Sequence, residues 1–172
     1  MSHAWHYIVA EPLRTELLQE YGVPDAIIRL GAPDPPDEAF RRRCRPPHGS
    51  PDEQTRDGLL VVGICETEAD DVLACRRRDS GLEFLSFDAE GLHSTRVVAS
   101  SIQGLLAHLF FGLVEAELDN KVPDPRPSFR QAADAVAFKH LDATYAFVLE
   151  ERNRGLVGWE RRLLDFCDSL SD

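Results

Sequence analysis

Between residues 59 and 99 the chain alternates four short apolar runs with turn signals, and this alternation constrains the fold more than any other feature. The runs are LLVVGIC (59–65), DVLACRR (71–77), LEFLSFD (82–88) and RVVA (96–99), each rich in β-formers. Asp79-Ser80-Gly81 separates the second from the third, and DAEG (88–91) the third from the fourth. Connections this short join antiparallel neighbours, so the economical arrangement is a four-stranded antiparallel meander, or a slightly larger sheet.

The hydrophobic period then changes from strand to helix. SSIQGLLAHLFFGLVEAELD opens with a capping box, Ser100 with Gln103, and sets Ile102, Leu105, Leu106, Leu109, Phe110, Leu113, Val114 and Leu118 at helical spacing. A stripe this wide is expected to lie on the sheet. Before the meander, EPLRTELLQEY (11–21) presents Leu13, Leu17, Leu18 and Tyr21 on one helical face, and a shorter helix around Ala26 to Leu30 ends at Gly31 and Pro33. Residues 31–58, rich in proline, glycine and charge, are expected to be an irregular, partly mobile loop with one helical turn near Phe40.

After KVPDPRP, a second capping box, Ser128 with Gln131, predicts a helix to about Arg152. Its apolar residues form two stripes: Phe129, Ala133, Val136 and Phe147 on one side, Phe138, Leu141, Tyr145 and Leu149 on another. Such a helix needs cover on two sides, from a last helix over WERRLLDFCDSL (159–170) or from a second chain. The fold class expected is α+β: an antiparallel four-stranded meander packed by helices over residues 1–119, with a helical extension over 128–172 packed on it as one compact unit.

The 172 residues suffice for a core without staples, and no apolar run approaches the roughly 20 residues of a membrane-spanning helix. The first residues lack a basic stretch followed by an apolar one, so a cytoplasmic location is the default expectation. Cys44, Cys65, Cys75 and Cys167 follow no zinc or redox spacing and read as reduced, inert residues in or near the core. A net charge of −11 disfavours nucleic acid and anionic membranes as partners and favours a basic protein.

That charge is densest in GICETEADDVLA (63–74). Alternate turns of a meander lie at the same end, so Glu66, Glu68, Asp70 and Asp71 are expected beside Asp88 and Glu90, with His93 just beyond. Arg76, Arg77 and Arg78 fall at the opposite end, which makes the sheet electrically polar along its strands. ETEADD matches no calcium loop, and nothing in the sequence sets two carboxylates in contrasting surroundings for acid–base work. These six carboxylates are therefore read as a surface for a basic partner, with no catalytic, cofactor-binding or metal-ligating residues assigned.

Other motifs carry less. His3 and His6 have the separation of helical neighbours, His108 and His140 lie beside apolar stripes within helices, and HGSPD (48–52) lacks the glycine-serine-glycine elbow of hydrolases. RRRCRPP (41–47) reads as a solvated or internally paired loop.

The helix pair broken by GVP, the strand LLVVGIC, the strands DVLACRR and LEFLSFDAEG, and VVASSIQGLLAHL leading into a long helix together resemble the SUKH superfamily over residues 11–118. The chain departs from that pattern in having ETEADD where many members have a glycine-rich turn, and in lacking the NGG that commonly follows the first helices. What the resemblance implies is a non-catalytic binding module, an immunity protein that neutralises a nuclease- or deaminase-like toxin made by the same cell. The alternatives are a regulatory or structural subunit that associates through its C-terminal helices, as a homodimer for example, and an unrecognised enzyme whose site assembles from distant segments.

Overall fold

The computed structural model describes residues 5–48, 54–55, 60–88 and 91–172. In chain order these form strand β1 (Trp5–Ile8), helices α1 (Leu13–Glu20) and α2 (Asp25–Ile28), a 3-10 turn (Arg29–Gly31), α3 (Glu38–Arg41) and the two-residue strands β2 (Cys44–Arg45) and β3 (Gln54–Thr55). The long strands β4 (Leu60–Thr67), β5 (Asp71–Arg78), β6 (Gly81–Asp88) and β7 (Gly91–Ala99) follow. Four helices complete the chain: α4 (Ile102–Asp119), α5 (Arg126–Ala135), α6 (Leu141–Arg154) and α7 (Trp159–Asp168). The fold is α+β, and it divides into two compact units, residues 1–97 and 98–172.

In the first unit the meander forms as expected from its turns. β5 and β6 pair from Asp71↔Asp88 to Arg78↔Gly81, closing on the two-residue loop Asp79-Ser80. β4 and β5 close on Glu68–Asp70, where Asp70 takes the left-handed conformation (φ 60°) that aspartate tolerates better than most residues. The sheet is larger than the meander and mixed, running β3-β1-β4-β5-β6-β7. β1 pairs parallel with the first half of β4 (Ile8↔Val62), while β2 pairs antiparallel with its second half (Cys44↔Thr67, Arg45↔Glu66). The chain from 31 to 48 contains the helical turn expected near Phe40, α3, capped by Asp37, but it is not otherwise all loop: Phe40 is fully buried and β2 extends the sheet. His6, read for its helical spacing to His3, lies in a strand.

Val61, Val72, Ala74, Leu85 and Phe87 form a cluster in this sheet, and Tyr7 packs on it with its ring edge-on to Phe87 at 5.3 Å. β4 is buried along both faces from Val61 to Glu66, which is why its sequence reads as a continuous apolar run rather than an alternation. A β-bulge between Gly63 and Cys65 interrupts its ladder with β5.

Arg14 occupies that bulge. The sequence assigned the inner face of α1 to Leu13, Leu17, Leu18 and Tyr21; instead Arg14 and Leu18 are buried and Leu13 is exposed. The guanidinium donates to Gly63 O (2.7 Å), Ile64 O (2.6 Å) and Ile28 O (2.9 Å), and its Nη1 pairs with Glu11 (2.7 Å). Gly31 completes the fit, since a Cβ there would sit 2.3 Å from Ile64 O.

The second unit is helical. α4 begins one residue later than its predicted cap: Ser101, not Ser100, accepts from Gly104 N (3.0 Å), and Ser100 Oγ donates to Asp168 (3.0 Å). The single helix predicted from Ser128 to Arg152 is two. It starts at Arg126 and breaks at 136–140, where Ala137 has φ 54°. Gln103 of α4 explains the break, because its amide donates to Ala137 O (2.9 Å) and accepts from Lys139 N (2.9 Å), replacing the main-chain bonds a continuous helix would make there. The two apolar stripes thereby find cover within the chain. Phe138 stacks on Phe110 at 4.8 Å, and Phe147 stacks on Phe166 of α7 at 4.5 Å. His140 sits at the N-terminal cap of α6 rather than within a helix.

Replacing Arg14 by leucine removes three bonds to main-chain carbonyls, each worth about 1.5–3 kcal/mol for a charged donor. Urea denaturation of Arg14→Leu is expected to show a loss of at least about 3 kcal/mol. Arg14→Lys, with a single point of attachment, is expected to recover only part of it.

Candidate functional site

Five of the six carboxylates read as a partner surface fall within the described residues; Glu90 lies outside them. Glu66 is on β4 and almost fully buried. Its register partner Arg45 donates to Oε1 through Nε (2.9 Å) and Nη2, and His48 Nδ1 lies 2.5 Å from Oε2 without the alignment of a hydrogen bond. Arg45 also holds Asp70, and Arg43 holds Glu68. The hairpin end therefore carries carboxylates interleaved with arginines from RRRCRPP, which is internally paired. Glu68 and Asp70 are half and two-thirds exposed in these pairs, so each contact is of the surface kind, worth about 0–1 kcal/mol.

Asp71 and Asp88 stand directly opposite each other on β5 and β6. Burial pushes the Asp71 carboxyl above the usual range, Arg96 opposes this, and the charges of Asp88 and Asp70 add to it. Like charges placed opposite across strands destabilise a sheet. At the other end the arginines are also occupied. Arg76 and Arg78 both donate to Glu83 (2.7 and 2.8 Å), and Arg77 lies over the Tyr21 ring at 6.0 Å.

The remaining sequence motifs do not join this cluster. All four cysteines are buried. Burial pushes the Cys75 and Cys167 thiols up to about 12, and a hydrogen bond with Cys44 together with complete burial pushes Cys65 well above the usual thiol range. Such thiols are poor nucleophiles. Of HGSPD, residues 49–52 lie outside the described residues. Among the described residues no group of three or more His, Cys, Asp or Glu is placed to hold a metal ion, and no helix is long and apolar enough to cross a membrane.

A second surface was not anticipated. Between α6 and α7 the loop GLVG (155–158) projects Leu156 and Val157, 83% and 93% exposed. The loop is anchored from beneath: buried Glu151 takes a forked pair from Arg162 (Nε 2.8 Å, Nη2 2.5 Å), and Arg162 Nη1 donates to Val157 O (2.7 Å). Gly155 and Gly158, at φ 85° and 74°, supply the left-handed backbone at both ends. Beside the loop is a cavity of about 350 Å³ lined by Phe111, Glu115, Glu151, Arg152, Leu156 and Trp159. Phe111 and Trp159 stack within it at 5.9 Å. The signal in the sequence was an adjacent Leu-Val pair enclosed by glycines, too short to register as periodic.

Comparison of this chain with protein-family models, with curated proteins and with solved structures returned no match.

The pair beneath the loop sets a pH dependence. Hydrogen bonds from Arg162 hold the Glu151 carboxyl below its ordinary 4.5, outweighing burial. A depressed carboxylate stabilises the fold above its unfolded value and ceases to do so as pH falls through the folded one. Thermal melts from pH 7 down to pH 3 are therefore expected to show an acid-side loss below about pH 4.5 that is smaller in Glu151→Gln.

Proposed function

We propose that this chain is a non-catalytic protein-binding module, an immunity protein that docks on a basic toxin of the nuclease or deaminase kind through the acidic end of its sheet. The reading rests on the resemblance to the SUKH superfamily and on one observation above the others: Asp71 faces Asp88 across adjacent strands, with Asp70 next to them. Within the chain Arg96 offsets part of the repulsion at Asp71, and a cationic partner at the same edge is expected to offset more of it. Electrostatic strain kept at a surface edge is a mark of a site shaped for binding rather than for stability.

The exposed carboxylates of Glu68, Asp70 and Asp88 extend the same edge. Glu68 and Asp70 are each held through one oxygen by a chain arginine, and both side chains keep half or more of their surface exposed. Buried Glu66 serves the reading differently, by ordering Arg45 and through it Asp70. A toxin that acts on nucleic acid presents a positive cleft, and a chain of net charge −11 approaches such a cleft faster than a neutral one.

The test separates stability from binding. Asp71→Asn is expected to raise stability at neutral pH by about 0.2–1 kcal/mol, the scale of a cross-strand pair. The same substitution is expected to weaken binding to the protein encoded by the adjacent gene, most strongly at low salt. Denaturation and titration calorimetry on one preparation give both values. Unchanged affinity at low salt would refute the placement.

A further inference from the structure

Among the titratable groups of the helical unit, Glu115 stands apart. It is half-buried on α4, lines the 350 Å³ cavity, and makes no hydrogen bond or ion pair with any described residue. The other charges in the lining are satisfied: Glu151 by Arg162, and Arg152 by Asp119 at 2.8 Å. One carboxylate thus has no ion pair among the described residues and lies beside the stacked aromatic rings, where burial and the nearby Asp119 push it above the usual range and Arg152 opposes them. An indole face and a carboxylate in one concavity form the chemistry that receives a cation.

The lip of the cavity adds a second requirement. Leu156 and Val157 are held outward by a loop whose backbone is fixed by Arg162 and two left-handed glycines, so burying them costs little further ordering. Exposed apolar side chains on a braced loop beside a small cavity, whose rim residues Arg152, Gly155 and Leu156 are open to solvent, fit an apolar residue adjacent to the cation. The volume, at the lower end of the roughly 300–1,000 Å³ of ligand pockets, suits a side chain better than a cofactor.

We infer that this cavity is a second contact point for a basic protein partner: Glu115 and Trp159 take an arginine or lysine side chain, and Leu156 and Val157 cover an apolar neighbour of that residue. The inference rests on the proposal that the partner is a basic protein, and it names where on the helical unit such a partner is gripped.

The experiment uses the full chain labelled with nitrogen-15 and follows the Trp159 indole N–H, assigned by Trp159→Phe. The probe is acetyl-leucyl-arginine amide, with the neutral isostere acetyl-leucyl-citrulline amide as control. A saturable shift of the Trp159 signal is expected with the arginine peptide at millimolar concentration, as befits one side-chain contact. The citrulline peptide is expected to bind about tenfold more weakly, and Glu115→Gln to weaken the arginine peptide by a similar factor, the scale of one charge-assisted hydrogen bond. Neutral glutamine suits a half-buried site that makes no ion pair among the described residues, so this variant is expected to fold. Equal shifts with both peptides, no saturable shift, or a Trp159 signal that moves with protein concentration alone would overturn the inference, the last by showing a second copy on the surface. The titration involves neither the toxin nor the sheet edge, so it succeeds or fails separately from the docking assignment.

Discussion

The guanidinium of Arg14 is the interaction on which the sheet-bearing unit depends. A cation this deep is tolerated because the bulge in β4 turns the carbonyls of Gly63 and Ile64 toward it and the end of α2 supplies that of Ile28. Three segments distant in sequence are thereby fixed together. β1 is positioned parallel to β4 through the helices that follow it, and the 3-10 turn at Arg29–Gly31 passes close over the β4 backbone at a glycine. β2 then lies along the second half of β4 and carries Arg45 opposite Glu66.

Two kinds of charge result. Most acidic residues near the edge are neutralised within a few ångströms by arginine, as are Glu83 at the far end and Glu151 under the α6–α7 loop. Against that background, departures are informative. Asp71 opposite Asp88, offset in part by Arg96, and Glu115 in an aromatic cavity, offset in part by Arg152, gather negative charge in half-buried settings. Both lie at surfaces, one on each unit, and on the proposed reading both receive the same chemistry, a cation brought from outside.

Much of the fold was legible because long elements leave periodic traces. The meander strands, the start of α4 within a residue, and α7 all follow from alternation, turn residues and caps. What was missed is short or non-local. β1, β2 and β3, of four residues or fewer, have no period to detect: β1 and β2 form by pairing with β4, and β3 by pairing with β1. The break at 136–140 was visible as two conflicting stripes, but the side chain that stabilises it, Gln103, comes from another helix. Arginine in α1 reads as solvent-facing until the bulge that needs it is known. At the candidate site the carboxylates were found, whereas their pairing with Arg43 and Arg45, 21 to 25 residues away, had no sequence signal beyond a basic run.

Hydrogen–deuterium exchange of the full chain, with and without the protein encoded beside it, tests the central claim most directly. On the binding account, amides of 66–72 and of the β6 end at Phe87 and Asp88 exchange more slowly in the mixture, and salt weakens the effect. Unaltered exchange along that edge at low salt, with the two proteins mixed at high concentration, would contradict it.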